Sequence, residues 1–301
     1  MSLALLVVGV GGQLSDDLML QVKDAKDTFA RGLTIKDLDI TDAFGVQDMV
    51  VGWDRIVRSD NPEHRLVVVN CAAYTAVDKA ETDEETAYAV NAAGPALLAT
   101  ACAKVGARLI HVSTDYVFPG DATSPYDVDD PTGPQGAYGR TKLAGELAVR
   151  EILPAASYVV RTAWLYGAHG HNFVKTMARL EKERETLNVV DDQRGSPTWS
   201  HDLAAGLLAL AAAEVPAGTF HATNRGETTW RGFAQAVFEE LGADPARVLP
   251  TTSEAYPTPA ARPAYSVLSP RAWDDAGLPP LRDWRAALAE AFRTSGDALR
   301  G

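Results

Sequence analysis

Tyr138 and Lys142 are the residues of this chain whose types and spacing are best suited to chemistry. They lie four positions apart in Ala137–Arg150, a segment that the sequence predicts to be helical, so their side chains share one helix face. With the hydroxyl of Thr114 upstream, they form a group that can deliver a proton to a ketone during its reduction. Because a nearby cation favours phenolate, we expect the pKa of Tyr138 to fall from about 10 toward the working pH.

A glycine-rich turn follows the first apolar run of the chain. The run, Leu3–Val8, is short and continuous, which favours a strand buried on both faces of a parallel sheet. Gly9, Gly11 and Gly12 come directly after it. Glycines there let backbone N–H groups approach a dinucleotide diphosphate at a helix N-terminus. The same residues could form only a turn, although their place after a strand favours phosphate binding.

Apolar runs and helix-like stretches alternate along the first half of the chain. Besides the first run, strands are predicted at Val67–Asn70, Arg108–Ser113 and Tyr158–Thr162, with a weaker one at Thr28–Ala30. Helices are predicted at Glu84–Lys104 and Thr141–Ile152. This alternation predicts an α/β fold with a Rossmann-like, doubly wound parallel sheet.

The second half of the chain has a different texture. Helices are predicted at Asn172–Glu185 and Asp202–Ala213 and a strand at Leu187–Val190, and the proline-rich segment Leu249–Pro270 is expected to wrap a surface or a ligand cleft. We therefore expect residues 1–165, with about 186–215, to form the cofactor-binding domain. Residues of about 166–185 and 216–301 would form a smaller substrate-binding lobe.

Composition excludes several classes of protein. The 301 residues carry a net charge of −12, which disfavours a nucleic-acid or anionic-membrane surface. No stretch is apolar enough to span a membrane, and the N-terminus resembles a first strand rather than a signal peptide, so we expect a cytoplasmic protein. Cys71 and Cys102 have no metal-ligand or disulfide spacing. His169 and His171 are too few for zinc and predict a solvated loop.

Longer motifs resemble those of the extended short-chain dehydrogenase/reductases, and within them the dTDP-4-dehydrorhamnose reductase family. The pair Tyr138 and Lys142 points only to the superfamily, whereas Asn-x-Ala-Ala-Tyr-Thr-x-Val-Asp and Ser-Thr-Asp-Tyr-Val-Phe are more specific. The matching stretches are spread over most of the chain: Asn70–Glu81, Val90–Ala92, His111–Phe118, Tyr138–Glu146, Arg161–Tyr166, Asn172–Lys175 and Asp191–Thr198.

The resemblance implies an enzyme that reduces the 4-keto group of dTDP-4-dehydro-L-rhamnose to dTDP-L-rhamnose, with NADPH or NADH as hydride donor. The expected partner is the dTDP-sugar substrate, with no nucleic acid or membrane, and the chain is expected to be a monomer or a homodimer. Thr114 would hold the ketone oxygen, Tyr138 would donate the proton and Lys142 would also reach the cofactor ribose. Further positions match the cofactor site, namely Gly9, Gly12, Gln13, Leu14, Ala72, Ala73 and Tyr74, or the sugar site, namely Val77, Asp115, Tyr116 and Trp164.

Several of these side chains have an equally simple structural interpretation. Asp39 and Ile40 could lie against the adenine, or Asp39 could cap a helix. Trp164 could cover the apolar face of the sugar or pack in the core.

The same choice applies to residues that could bind the substrate's phosphates. Asn172 and Lys175 could bind the diphosphate or simply start a helix. Arg262 could bind a phosphate or the base through its guanidinium, or form a surface salt bridge. Asp78 and Glu81 are expected to cap or solvate a helix.

The chain departs from its relatives at a few positions. Ser15 replaces a glycine or alanine of the phosphate loop, and Arg262-Pro263 is followed by Ala264-Tyr265-Ser266 rather than Asn-Ser. Some relatives bind magnesium at a dimer interface through glutamates, and only Asp17 loosely matches one such position, so magnesium is left open.

Two other functions compete with ketosugar reduction. A nucleotide-sugar epimerase or dehydratase uses the same tyrosine and lysine but recycles its NAD. The non-catalytic regulatory subunit of methionine adenosyltransferase also resembles this family.

Overall fold

The computed structural model describes residues 2–301. Its strands, in chain order, are β1 (Leu3–Val8), β2 (Thr28–Leu33), β3 (Arg65–Asn70), β4 (Arg108–Thr114), β5 (Ser157–Thr162), β6 (Leu165–Tyr166), β7 (Leu187–Val190), β8 (Arg194–Gly195), β9 (Thr198–Trp199), β10 (Gly218–His221), β11 (Thr228–Thr229) and β12 (Val248–Thr251).

The α-helices are α1 (Gln13–Val22), α2 (Ala43–Asp60), α3 (Val77–Ala80), α4 (Glu84–Tyr88), α5 (Gly94–Val105), α6 (Ala137–Ile152), α7 (Phe173–Glu183), α8 (Ser200–Ala212), α9 (Trp230–Glu240), α10 (Arg271–Asp275) and α11 (Trp284–Arg300). Within residues 2–301, no helix is both long enough and apolar enough to cross a membrane.

Six strands form one parallel sheet in the order β10-β5-β4-β3-β1-β2. The predicted doubly wound parallel sheet is therefore confirmed, and the weak strand prediction at Thr28–Ala30 marks the start of β2. Strand β1 lies between β2 and β3, so the chain reverses its direction of winding at β1. In open α/β sheets, ligands bind in the crevice beyond the carboxyl ends of the strands at such a reversal.

Helices cover both faces of the sheet. Alternate residues of β1 point to opposite faces because a strand has a period of two. Leu5 and Val7 pack in the core that includes α1 and α8, whereas Leu6 and Val8 pack in the core that includes α2 and α5. Every β1 residue is buried, which explains its unbroken apolar sequence.

A separate core lies in the second half of the chain. Side chains of α7, α9 and α11, among them Phe233 and Leu288, are buried there with Tyr166. Strand β10 and helix α10 fall within 216–301, the range that the predicted division assigns to the lobe. They nevertheless belong to the main sheet and its core, because β10 pairs with β5 and Trp273 packs among residues of α8.

The helix predicted at Glu84–Lys104 is divided into α4, a π-helical turn at Ala89–Ala93, and α5. Pro95 in the first turn of α5 has no N–H to donate, so a regular helical hydrogen-bond ladder cannot continue through it. The π turn holds Asn91, a buried residue of the site described below.

Candidate active site

A cavity of about 310 Å³ lies where the loops after β1, β3 and β4 meet. It brings together most of the residues predicted for cofactor, catalysis and sugar. The predicted residues that line it are Gly12, Gln13, Leu14, Ala73, Val77, Thr114, Asp115, Tyr116, Tyr138, Lys142 and Trp164. We call this space the catalytic cavity.

The glycine loop needs glycine for two different reasons. Gly9 and Gly11 have φ of 89° and 102°, in the left-handed region that other residues rarely adopt. A Cβ on Gly9 would lie 2.5 Å from the backbone nitrogen of Ala72, so the loops after β1 and β3 could not approach each other. The predicted turn is therefore a site of close backbone approach.

Two side chains of helix α1 fix this loop. The Ser15 hydroxyl donates to Gly9 O at 2.9 Å and accepts from Gly12 N at 3.1 Å. Asp16 Oδ1 accepts from Gly11 N at 2.9 Å. Relatives often have glycine or alanine at this position. Here the Ser15 hydroxyl instead forms hydrogen bonds that stabilise the turn.

The first turn of α1 can receive a diphosphate. Among residues 2–301, the backbone N–H groups of Gln13 and Leu14 have no acceptor, and both residues line the catalytic cavity. Unpaired N–H groups and the positive end of the helix dipole favour an anion there. The loop therefore fits a dinucleotide diphosphate.

Asn91 holds the loop after β3. Its Oδ1 accepts from Tyr74 N at 2.8 Å and its Nδ2 donates to Tyr74 O at 3.1 Å. The same Nδ2 donates to Thr141 Oγ1 at 3.1 Å, next to Lys142. Asn91 therefore fixes the predicted cofactor loop relative to helix α6.

Thr114, Tyr138 and Lys142 come together as predicted. Thr114 ends β4, and Tyr138 and Lys142 lie one turn apart on α6. Lys142 is only 2% exposed, and its Nζ donates to Val112 O at 2.7 Å. The ring of Tyr138 is half-buried and meets that of Tyr116 edge-on, with centroids 5.6 Å apart.

The predicted lowering of the Tyr138 pKa is wrong. Burial of the phenol raises its pKa to about 12, and the negative charge of Asp115 acts in the same direction. The Thr114 hydroxyl acts on the pKa of Tyr138 in the opposite direction without cancelling this rise. The expectation failed because helical spacing predicts a nearby cation but not the loss of solvent around the phenol.

The pKa of Lys142 lies much closer to neutrality than that of a free lysine side chain. Burial lowers its pKa to about 8, and the carboxylate of Glu146, one turn further along α6, opposes that fall. Glu146 is itself buried, and its two oxygens share the single N–H of Arg161 Nε in a bifurcated hydrogen bond, while Oε2 also accepts from Arg161 Nη2. It also accepts from the Ser113 hydroxyl at 2.5 Å.

A second cavity, of about 350 Å³, lies beside the first. Its lining comes from α7, the start of α9, the strands β7 and β12, the loop after β7 and the proline-rich segment: Phe173, Thr176, Met177, Leu180, Asn188, Val189, Val190, Gln193, Trp230, Thr251, Tyr256, Thr258 and Arg262. The proline-rich segment thus borders a cleft, as predicted. We call this space the lobe cavity.

Two stacked indoles separate the cavities. Trp164 lines the catalytic cavity and Trp230 the lobe cavity, and their rings stack at 3.6 Å with 8° between the planes. Trp164 also has a φ of 46°, which is rare for a bulky residue. Its position therefore depends on the residues that enclose it, so Trp164 both packs and faces the cavity.

Several predicted residues line neither cavity. These are Gly9, Gly11, Asp39, Ile40, Ala72, Tyr74, Asn172 and Lys175. Asp39 Oδ1 accepts from the N–H and hydroxyl of Thr41, and Ile40 is a core residue.

Asn172 and Lys175 are occupied by local hydrogen bonds. Asn172 Oδ1 caps α7, and its Nδ2 donates to Gln13 Oε1 at 3.0 Å. Lys175 Nζ donates to Ala168 O at 2.6 Å. Their contact with the substrate's diphosphate stays a prediction, whereas Asn172 does position the side chain of Gln13.

Sequence reasoning missed part of the lining of the catalytic cavity. The missed residues are Cys71, Thr75, Val112, Ser113, Thr162, Ala163 and Leu165. All lie at or just beyond the carboxyl ends of β3, β4 and β5, so the predicted strands contained a usable signal. For the lobe cavity the sequence signalled only the proline-rich segment with Arg262, because the rest of the lining comes from distant segments.

Asp17 is a partner for side chains of its own chain. It is buried, accepts a hydrogen bond from the Ser200 hydroxyl, and lies 3.8 Å from His169 Nε2. Among residues 2–301 no three His, Cys, Asp or Glu side chains lie close enough together to hold a metal ion.

The sequence and structure match known proteins over almost their whole length. The family model "RmlD substrate binding domain" matches residues 3–296. A dTDP-4-dehydrorhamnose reductase of Streptomyces griseus is 53% identical over 292 residues, covering 95% of this chain and 92% of the relative. A probable dTDP-4,6-dihydroxy-2-methyloxan-3-one 4-ketoreductase of Streptomyces antibioticus is 48% identical over 289 residues, covering 95% and 94%.

A solved structure gives the same result. The dTDP-4-dehydrorhamnose reductase of Bacillus anthracis, in complex with NADP, superposes with a TM-score of 0.90 at 37% identity, covering 97% of this chain and 99% of that one. Fold, site and sequence agree, and the chain belongs to the RmlD substrate binding domain family.

Proposed function

We propose that this protein is an NAD(P)H-dependent reductase that converts the 4-keto group of dTDP-4-dehydro-L-rhamnose to the alcohol of dTDP-L-rhamnose. One observation carries the chemistry: a single cavity is lined by the phosphate-binding turn of α1 and by Thr114, Tyr138 and Lys142. A dinucleotide and a ketone can meet only where both elements are within reach. The names of the relatives support the substrate.

A bound nicotinamide cofactor supplies the hydride. Tyr138 donates the proton to the ketone oxygen, and its raised pKa keeps the phenol protonated at neutral pH, as a donor must be. The Thr114 hydroxyl holds the same oxygen. Hydrogen bonds that strengthen as negative charge develops lower the barrier. Lys142, whose Nζ donates to Val112 O, would also reach the cofactor ribose.

The two cavities suit the two halves of a nucleotide sugar. Val77, Asp115, Tyr116 and Trp164 would surround the sugar in the catalytic cavity. The nucleotide would lie in the lobe cavity, whose lining includes Phe173 and Trp230. The sheet domain would thus bind the cofactor and the lobe the nucleotide.

The cofactor is proposed as NADPH or NADH. The Bacillus anthracis relative was solved with NADP, which supports the phosphorylated form. Magnesium is not part of the proposal. A homodimer or monomer and a cytoplasmic location are expectations from the sequence and family.

The test is an assay of NADPH and NADH oxidation. dTDP-4-dehydro-L-rhamnose is generated in situ from dTDP-glucose by the preceding pathway enzymes. We expect one cofactor oxidised per dTDP-L-rhamnose formed. An isomeric ketosugar formed without net cofactor oxidation would instead indicate an epimerase-like enzyme that recycles its nucleotide.

A second candidate substrate is a different dTDP-4-ketosugar. The Streptomyces antibioticus relative, a probable ketoreductase for another sugar, is nearly as similar as the rhamnose enzymes. The assay therefore includes dTDP-4-keto-6-deoxy-D-glucose as a parallel substrate. A higher kcat/KM with that sugar would reject dTDP-4-dehydro-L-rhamnose as the preferred substrate, while the proposal that the protein is a ketosugar reductase would stand. No oxidation with either sugar, together with co-purification of a synthetase, would favour the non-catalytic subunit.

A further inference from the structure

The short helix α3 is bonded to two parts of the protein that are far apart in sequence. At its start, Asp78 Oδ2 accepts from Arg262 Nη2 at 2.8 Å and Oδ1 accepts from Ala260 N at 3.1 Å. Just after its end, Glu81 Oε1 accepts from Ala137 N at 2.8 Å, at the first residue of α6. Asp78 is thus anchored, through α3, to the helix that carries Tyr138.

Arg262 lies at the border between the two cavities. It lines the lobe cavity, whereas Val77, the neighbour of Asp78, lines the catalytic cavity. Burial raises the pKa of Tyr116, whose ring meets that of Tyr138 edge-on. The positive charge of Arg262 opposes this rise and the negative charge of Asp78 adds to it, so both charges lie near the Tyr116 phenol. A guanidinium that borders one cavity and influences a phenol of the other lies between the two halves of the proposed substrate.

The guanidinium still has donors to offer. Arg262 uses Nη2 for Asp78 and Nη1 for Ala260 O, at 3.1 Å. A guanidinium has five N–H donors, so three remain after these two bonds. Arginine can therefore bind an anion in a bidentate way while the aspartate holds it in place.

The ion pair between Arg262 and Asp78 is expected to contribute little to the free energy of unfolding. The Asp78 side chain is 44% exposed and that of Arg262 is 20% exposed. Ion pairs at such exposure contribute at most about 1 kcal/mol, because water screens the charges. A substitution at Asp78 is therefore expected to leave the protein folded, and its effects report on the site.

We propose that Asp78 is a positioning residue that holds Arg262 between the two cavities, where the guanidinium binds the diphosphate of the nucleotide sugar. The diphosphate links the base to the sugar, so it must lie between the space for each. This inference rests on the proposed function. It adds a role for Asp78, which the sequence predicts only as a cap or a solvated side chain.

The first test is Asp78→Asn, which keeps the size of the side chain and removes its charge. We expect KM for the nucleotide sugar to rise about 10-fold, the effect of one misplaced hydrogen bond to a charged group, with little change in kcat. The affinity for dTDP, measured by calorimetry, should fall by a similar factor, and that for NADPH should not change. Asp54→Asn, in the ion pair with Arg58 on α2, is the matched control and should have no effect.

The second test is a double-mutant cycle with Arg262→Ala. If Asp78 acts through Arg262, then Asp78→Asn in the Arg262→Ala background changes neither KM nor dTDP affinity. Unchanged values in the single Asp78→Asn variant would overturn the proposal. So would a full additional loss in the double variant, which would mean that Asp78 acts through α3 or the catalytic helix instead.

The binding measurement separates this inference from the proposed function. Calorimetry with dTDP needs no turnover. If the cycle shows coupling but no 4-ketosugar is reduced, the proposed reaction fails and the role of Asp78 stands. If the unaltered protein reduces the ketosugar but dTDP affinity shows no coupling between Asp78 and Arg262, the proposed reaction stands and the role of Asp78 is rejected.

Discussion

The Thr114 hydroxyl donates a hydrogen bond to the Asp115 carboxylate, with Oγ1 and Oδ1 3.0 Å apart. Thr114 has one proton to donate, so its hydroxyl must turn away from Asp115 to donate to a ketone. Asp115 is 2% exposed, and burial raises its pKa to about 6. Its Oδ2 has no hydrogen bond of good geometry within residues 2–301, although the Ser266 hydroxyl lies close enough to lower the pKa.

Asp115→Asn should therefore change how stability depends on pH. The pKa is raised from 3.8 to about 6, so the folded state holds the proton more tightly, and this stabilisation is lost as pH rises through that window. About two pKa units correspond to roughly 3 kcal/mol. We expect the free energy of unfolding of the variant, relative to the unaltered protein, to increase by up to that amount between pH 4 and 6. Urea unfolding at each pH measures it, and a difference that does not vary with pH would contradict the prediction.

Tyr138→Phe removes only the phenolic proton. We expect kcat to fall by about 10²- to 10⁴-fold, the usual contribution of a general acid. Affinity for NADPH, measured by calorimetry, should be nearly unchanged. Tyr88→Phe, at an exposed tyrosine, is the control. Near-normal kcat in a folded Tyr138→Phe variant would show that another group donates the proton.

The pKa of Lys142 predicts a fall in activity at alkaline pH. Burial lowers that pKa from 10.5 to about 8, so the ammonium loses its proton above that pH, while the Tyr138 phenol, with a pKa of about 12, stays protonated. We expect kcat/KM to decline through about pH 8. Lys142→Arg keeps a charge throughout this range, so whatever activity it retains should lack the decline. A decline that persists in that variant would assign it to another group.

Local sequence was enough to predict the sheet and the catalytic group, since a glycine turn and a helical pair at i and i+4 are defined within a few residues. The sequence also contains a signal for helix α2, which is absent from the predicted elements: Val46, Val50, Trp53 and Val57 recur at helical spacing and are buried. Most of the lining of the lobe cavity and the direction of the Tyr138 pKa shift could not be predicted. Both depend on which distant segments pack around the cavity or the phenol and exclude water from it, and spacing along the chain does not contain that information.

The glycine loop offers a comparison between two substitutions. Gly12 has an ordinary φ of −103°, and a Cβ there would meet nothing closer than 3.6 Å. Gly12→Ala should therefore keep its stability and lose NADPH affinity, because the methyl group lies where a diphosphate approaches. Gly9→Ala combines a positive φ with a clash against Ala72 and should lose stability as well. Calorimetry and thermal unfolding separate the two effects; unchanged affinity in Gly12→Ala would mean that the loop is only a turn.

Gly195 controls the position of Trp164 without offering any side chain of its own. A Cβ on Gly195 would lie 2.5 Å from Trp164 Cε2, so Gly195→Ala must displace the indole. We expect KM for the nucleotide sugar to rise more than kcat falls if the indole only holds the sugar. The near-UV circular dichroism of the Trp164–Trp230 stack should change at the same time.

Gly218→Ala, also a strand glycine but with no atom within 4 Å of its Cβ, is the matched control for Gly195→Ala. A loss mainly in kcat would show instead that Trp164 aligns the ketone, since small misplacements of reacting atoms are costly. If the dichroism changes while both kinetic constants stay the same, the indole is a structural wall between the cavities and does not contact the sugar.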